Sequence, residues 1–175
     1  GSLNNVQPFL FRFHDGPVAL CHNGNLTNCE TLRTEMEDSG AIFHSNSDTE
    51  VLIHLIRRSA ENTFLDKLKD ALNTVHGGFA YLLMTNTALY GALDPNGFRP
   101  LSLGRMKNGA YVLASETCAL DVVGATLIRD IEPGEICVIT DEGYTITQYT
   151  GHTQKAICSM EFVYFARPDS NIYGV

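Results

Sequence analysis

His22-Asn23-Gly24-Asn25 lies where an apolar run ending at Leu20 gives way to a helical pattern opening at Thr27. A side-chain amide beside a glycine amide offers the two donors that an oxyanion needs. Asn23 supplies an NH₂, and Gly24 supplies an N–H that no Cβ shields. Acyl transfer through a tetrahedral intermediate is the chemistry such a pair serves. The same residues also spell a tight turn with positive φ at the glycine, and the local sequence leaves both readings open. A hole of this kind needs a nucleophile. Cys21 has His22 beside it, but consecutive strand residues face opposite ways, so the two do not readily pair and Cys21 is expected in the core. Cys118, in "SETCALD", has no evident base.

Ser47-Asp48-Thr49-Glu50 raises a second question. A hydroxyl three residues before a carboxylate is the capping-box spacing, and carboxylates favour the positive end of a helix dipole. The same placement could hold an ammonium group. Both can be true together, with Glu50 capping while Asp48 faces a ligand.

The elements that must position these groups fall into two halves. In the first, Pro17 to Cys21 reads as a short strand. A capping box at Thr27 to Glu30 opens a helix with Cys29, Leu32 and Met36 on one face, ending at Gly40. Val51, Leu52, Leu55 and Ile56 form a second helical stripe, and Leu68, Leu72 and Val75 a third, stopped at Gly77-Gly78. In the second half, "FAYLLMT", "ALYGALD", "LSLG", "AYVLAS", "EICVIT" and "YTITQY" read as strands between turn signals. "DPNGFRP", from Asp94, reads as a hairpin turn, Asp121 to Ala125 as a helical turn, and "ICSMEFVYFA" as a strand-like run before a Pro/Asp/Ser/Asn exit. Helices first and antiparallel strands later predict an α+β layered domain.

Bulk properties exclude several functions. The 175 residues carry a formal charge of −8, with 44% apolar and 18% charged residues. Nothing there neutralises phosphates broadly, so no nucleic-acid partner is expected. No apolar run reaches the ~18 residues that span a bilayer, and no signal peptide is visible. Five scattered cysteines without C-x-x-C spacing suggest a reducing, cytoplasmic setting and no closed zinc site.

"HNGNL" (His22 to Leu26) followed by "SDTEV" (Ser47 to Val51) resembles the glutaminase domain of the class II amidotransferases, the N-terminal-nucleophile group. "ALDPNGFRPLSLG", "ASETCALDVVGAT" and "CSMEFVYFARPDSNIYGV" narrow the resemblance to the glutamine phosphoribosylpyrophosphate amidotransferase family, over essentially the whole chain. The resemblance implies a four-layer αββα sandwich with its first strands missing. It implies that Asn23 and Gly24 form the oxyanion hole and that Asp48 holds the α-amino group of glutamine. Residues 1–157 would be a partial glutaminase domain and 158–175 a junction to an absent phosphoribosyltransferase domain. The family's nucleophile is the N-terminal cysteine of the mature chain. Residue 1 here is Gly, and the family's carboxylate-gripping arginine is also missing, so the piece is expected to be inactive alone. In the longer protein the resemblance implies glutamine and phosphoribosyl pyrophosphate as substrates, Mg²⁺, homo-oligomers and, in one branch, a 4Fe-4S cluster with Cys158 as one ligand. The fragment itself is expected to need no cofactor. The alternatives are another class II amidotransferase, of the glucosamine-phosphate or asparagine synthetase type, or a non-catalytic glutamine-binding module.

Overall fold

The alternation of one long strand organises the molecule. The computed structural model describes residues 5–156 and 158–171. Strands β1 (Phe9–Phe13) and β2 (Gly16–Leu26) form a hairpin, and helices α1 (Cys29–Asp38), α2 (Thr49–Arg58) and α3 (Phe64–Thr74) follow. The chain then runs through β3 (Gly77–Met84), β4 (Leu89–Leu93), β5 (Ser102–Met106), β6 (Tyr111–Ala114), α4 (Thr117–Val122), β7 (Ala125–Asp130), β8 (Glu135–Thr140) and β9 (Gly143–Gln148). It ends in a π-helical turn at Glu161–Phe165.

Among the described residues there are two antiparallel sheets, one of six strands ordered β1-β2-β3-β4-β8-β9 and one of three ordered β6-β5-β7. Period-2 alternation sends each strand's two faces to different cores. On one face, Val18, Leu20, Phe79, Tyr81, Leu83 and Ile136 pack with Leu52, Ile56, Leu68 and Leu72 of the helices. On the other, Ala80, Leu93 and Cys137 meet Leu101, Leu103 and Ile131 between the sheets. The outer face of the smaller sheet is capped by α4, and Gly104 admits it: a Cβ there would lie 2.9 Å from Leu120 Cδ2. The order is helix, sheet, sheet, helix, the αββα layering that the resemblance implies. No helix among the described residues is long and apolar enough to cross a membrane.

Several local expectations need correcting. The first helix is capped by neither Thr27 nor Glu30. Asn28 occupies the N-cap position without a side-chain cap bond. It spends its amide on Thr74 O (3.0 Å) and its carbonyl on His76 N–H (2.9 Å), tying α1 to the start of β3. The helical turn expected at Asp121 to Ala125 is the end of a helix that opens earlier, α4, where Thr117, Cys118 and Leu120 supply the buried face, and the strand that follows it, β7, was not expected. The "FVYF" run is a π-helical turn rather than a strand, with Phe162, Val163, Tyr164 and Phe165 all exposed. "DPNGFRP" turns the chain but makes no hairpin, since β4 and β5 belong to different sheets.

Asp94 explains that crossing. Its side chain is fully buried and accepts from the backbone amides of Phe79 (3.1 Å), Asn96 (2.8 Å), Gly97 (2.8 Å) and Phe98 (3.0 Å). Burial pushes its carboxyl above the usual range, and the four amides pull the other way. Replacing Asp94 with Ala orphans those donors. The Asp94→Ala chain is expected to lose on the order of 3 kcal/mol in denaturant unfolding. A loss below about 1 kcal/mol would show that the turn holds without its carboxylate.

Candidate functional site

Beyond β1, the outer edge of β2 has no strand beside it among the described residues. The register stops at Phe9 against Leu20, and the last six residues of β2 continue alone on that side. Three backbone amides of this stretch face outward. The N–H of His22 donates to Gln7 Oε1 (2.5 Å), and that of Leu26 donates to Asp48 Oδ2 (2.9 Å). Gly24 lies between them and faces the same way. Its opposite number on β3, Phe79, turns both its N–H and its carbonyl towards Asp94 instead. Among the described residues the Gly24 N–H has no hydrogen-bond partner.

Glycine is required at position 24 by the backbone itself. Its φ is +143°, and a Cβ would stand 2.1 Å from Gly78 O and 2.8 Å from Phe79 Cα. The relation is reciprocal at Gly77, where a Cβ would stand 2.2 Å from Asn25 O. The two strands approach here as only glycines permit. The turn reading at Gly24 therefore gives way to a continuous strand with positive φ.

Alternation sends the side chain of Asn23 to the face opposite His22. There it lines a cavity of about 280 Å³ with Arg99, Pro100, Ser115, Glu116, Glu161 and Phe165. The Arg99 Nη1 to Glu161 Oε1 contact is 2.8 Å, and the Arg99 guanidinium sits over the Phe165 ring at 4.9 Å. Asn25 turns its amide onto Leu26 O (3.4 Å), so of the two asparagines only Asn23 looks into this cavity.

Asp48 occupies the N-cap position of α2 but makes no cap bond. Its carboxylate is drawn across to β2, with Oδ2 on the Leu26 amide and Oδ1 3.4 Å from His22 Nδ1. Burial opposes its charge, but His22 and the Leu26 amide outweigh that and hold the carboxyl below its ordinary range. Glu50 does not cap either. It is buried, and its oxygens accept from the amides of His44 (2.9 Å) and Ser45 (2.8 Å) and from Ser45 Oγ (2.7 Å). Here too burial works against the charge, and the hydrogen bonds win, keeping the carboxyl low. Glu50 thus fixes the loop that delivers Asp48.

The Gly24 amide and the Asp48 carboxylate lie along one edge of β2, and the Asn23 side chain leaves the same stretch of strand on the face opposite His22. The Gly24 and Leu26 amides, two residues apart, stand about 7 Å from each other at ~3.3 Å per residue. Cys21 and His22 lie on opposite faces as expected, but Cys21 is half-buried rather than core. Burial raises the thiol of Cys21 and that of Cys29, and pushes Cys137 up to about 11. Cys118 is buried beside Glu116 Oε2 (3.6 Å). Cys158 is half-buried, and no group of three or more His, Cys, Asp or Glu among the described residues could hold a metal ion. These residues do not by themselves make a cluster site. Sequence reading missed Gln7, whose side chain both accepts from His22 N–H and donates to His22 O, and the Arg99–Glu161 pair. Neither carries a local pattern that separates it from a surface residue.

With both carboxyls low in the folded chain, each binds a proton more weakly than in the unfolded chain. Their contribution is complete above the unfolded values, about 4, and is lost as pH falls through the folded ones. The Glu50→Gln variant should be less stable near neutrality and should lose less stability on going from pH 5 to pH 3. Urea titrations at pH 7, 5, 4 and 3 measure this, and an unaltered acid slope would contradict it.

The family profile described as "Glutamine amidotransferase domain" matches residues 2–122. The chain is 57% identical over 172 residues to the amidophosphoribosyltransferase of Staphylococcus aureus (strain Mu50 / ATCC 700699), covering 98% of this chain and 35% of that protein. It is 53% identical over 176 residues to that of Bacillus subtilis (strain 168), covering 100% of this chain and 37% of that protein. The solved B. subtilis glutamine phosphoribosylpyrophosphate amidotransferase, complexed with ADP and GMP, superposes with a TM-score of 0.96 at 52% identity. That superposition covers 99% of this chain and 38% of the other. The chain thus spans little more than a third of the length of these relatives.

Proposed function

The chain belongs to the glutamine amidotransferase domain family, and from that premise we propose that it is the glutaminase part of an amidophosphoribosyltransferase. Glutamine lies along the free edge of β2. Its γ-carbonyl oxygen sits between the Asn23 amide and the Gly24 N–H, and its α-ammonium sits on Asp48. As a nucleophile adds to the carbonyl carbon, the charge developing on oxygen meets two donors, one of which, the Gly24 N–H, has no other partner among the described residues to give up. Collapse of that intermediate expels ammonia. The ammonia then displaces pyrophosphate from phosphoribosyl pyrophosphate in the remainder of the protein, giving 5-phosphoribosylamine for purine synthesis.

The observation that carries this reading is the convergence of Asn23, the outward Gly24 amide and Asp48 on one stretch of β2. The five cysteines of the chain do not complete it. Cys21, Cys29 and Cys137 are held as thiols by burial, and Cys118 is buried beside a carboxylate rather than a base. In this reading the attacking thiol is the processed N-terminal cysteine of an N-terminal-nucleophile hydrolase, acting with its own α-amino group as base. Cys158 would join a 4Fe-4S cluster only with three thiolates from elsewhere, and Mg²⁺ belongs with the phosphoribosyl substrate. Cytoplasmic location and homo-oligomers belong to the same proposal. The 57% identity to an amidophosphoribosyltransferase favours this family over the glucosamine-phosphate and asparagine synthetase types.

Glutamate release from glutamine tests the assignment. The full-length protein should hydrolyse glutamine, and the 175-residue chain alone should not. In the full-length protein Asn23→Ala should lower kcat about 10²–10³-fold, the usual cost of one oxyanion donor. Asp48→Asn should mainly raise KM for glutamine, by tenfold or more, roughly the loss of one charge-assisted contact. Turnover by the isolated chain would instead place the nucleophile among Cys21, Cys29, Cys118, Cys137 and Cys158.

A further inference from the structure

The reaction described above uses Asn23 and Gly24 of the "HNG" triplet and leaves its histidine without a task. His22 is nevertheless one of the few buried polar side chains of the helix-facing core. Its ring stacks on Tyr81, with centroids 4.4 Å apart and planes 22° from parallel. Nδ1 faces two oxygens, Thr49 Oγ1 at 3.2 Å and Asp48 Oδ1 at 3.4 Å. Thr49 Oγ1 is in turn 2.9 Å from Ser47 Oγ. The ring therefore ties the first sequence motif, on β2, to three consecutive residues of the second, at the start of α2. On the far side of the ring Nε2 is buried, and among the described residues it has no partner. The only polar engagement of this imidazole in that set is towards the Asp48 loop.

We infer that His22 is a positioning residue for Asp48, setting the orientation of the carboxylate that recognises the α-ammonium group of the substrate. This rests on the glutaminase reading and assigns a specificity role within it. An N-cap aspartate ordinarily turns its carboxylate back onto the first amides of its own helix. Asp48 does not: Leu26 N–H holds Oδ2, and His22 Nδ1, which also meets Thr49 Oγ1 at 3.2 Å, stands 3.4 Å from Oδ1. A carboxylate offers about four acceptor sites. Leu26 and His22 face two of them, and with the Asp48 side chain 21% exposed the others can reach a ligand. Without the imidazole, Oδ1 is released and the group can rotate onto the α2 amides. The ammonium site is then lost, while the oxyanion donors on the same strand stay in place.

The test uses the full-length protein. His22→Phe keeps an aromatic ring on Tyr81 and removes the donor. His22→Asn keeps a donor near the place of Nδ1. KM and kcat are measured for glutamine and for glutaramate, which lacks the α-amino group. His22→Phe is expected to raise KM for glutamine about tenfold with kcat within about threefold of the parent. Its preference for glutamine over glutaramate should fall by a similar factor, and His22→Asn should restore most of both. A general structural defect would lower both substrates together and leave the preference intact. If Asp48→Asn raises KM but His22→Phe leaves KM and preference unchanged, the inference is wrong and the glutaminase reading stands. If the parent releases no glutamate, the reading itself fails and this inference falls with it. Should His22→Phe not fold, His22→Asn decides alone. A preference near that of the parent supports the role of Nδ1, and a collapsed preference overturns it.

Discussion

The molecule depends on the close approach of β2 and β3 around Gly24, Gly77 and Gly78. Nothing but glycine fits at either Gly24 or Gly77, because a Cβ would stand little more than 2 Å from a carbonyl oxygen of the facing strand. That approach locks the register, and a slip of one residue would exchange every side chain between the two faces of the sheet. His22 would then enter the inter-sheet layer and Asn23 the helical core. The site is in this sense a property of parity. Even positions of β2 supply core packing and the contact to Asp48, odd positions supply the side chain facing the cavity, and the outward amides belong to the even set.

Around that register the fold uses carboxylates as backbone clamps in three places. Asp94 holds four amides where the chain leaves one sheet for the other, and Glu50 holds the loop ahead of α2. Glu116 accepts from the Arg167 amide (2.9 Å) and from Ser170 Oγ (3.1 Å), fastening the C-terminal segment to the start of α4. Asp94 and Glu50 saturate amides that their loops would otherwise leave unpaired, which explains how these two acidic residues tolerate burial. Three loops that contribute to one site are fixed this way without regular structure of their own.

The layering and the motif-bearing residues were legible because they follow from short-range rules. The unbroken apolar run of "FAYLLMT" and the 3.6-residue stripe through Val51, Leu52, Leu55 and Ile56 are direct imprints of burial on two faces and on one. The caps were misread for a consistent reason. Thr27, Asn28, Asp48 and Glu50 all have capping chemistry, but tertiary partners outbid the helix ends: Asn28 serves Thr74 and His76, Asp48 serves Leu26, and Glu50 serves His44 and Ser45. A capping pattern does not reveal a competing partner, whether it lies five residues away, as Ser45 does from Glu50, or tens, as Leu26 does from Asp48. Strand β7 was lost because its exposed run at Thr126, Leu127 and Ile128 shows no alternation. Gln7 carried no signal at all, since its role exists only because it lies beside β2 just before β1 begins.

An unpaired strand edge is normally a hazard, a row of amides ready to pair with another chain. Among the described residues the edge of β2 beyond Leu20 is closed by side chains, with no strand beside it. Gln7 takes the amide of His22 and Asp48 takes that of Leu26. Were a strand to run alongside instead, the Gly24 amide would be consumed in the ladder and no donor would remain to meet a developing charge. Were the edge left wholly bare, there would be three equivalent donors and nothing to select a single position for the substrate oxygen. Blocking the two neighbours with side chains leaves one outward amide between them, and one of the two blocking groups is itself an anion placed for an ammonium group. The same interactions that protect the edge thus define where, and in which direction, a glutamine side chain can lie along it.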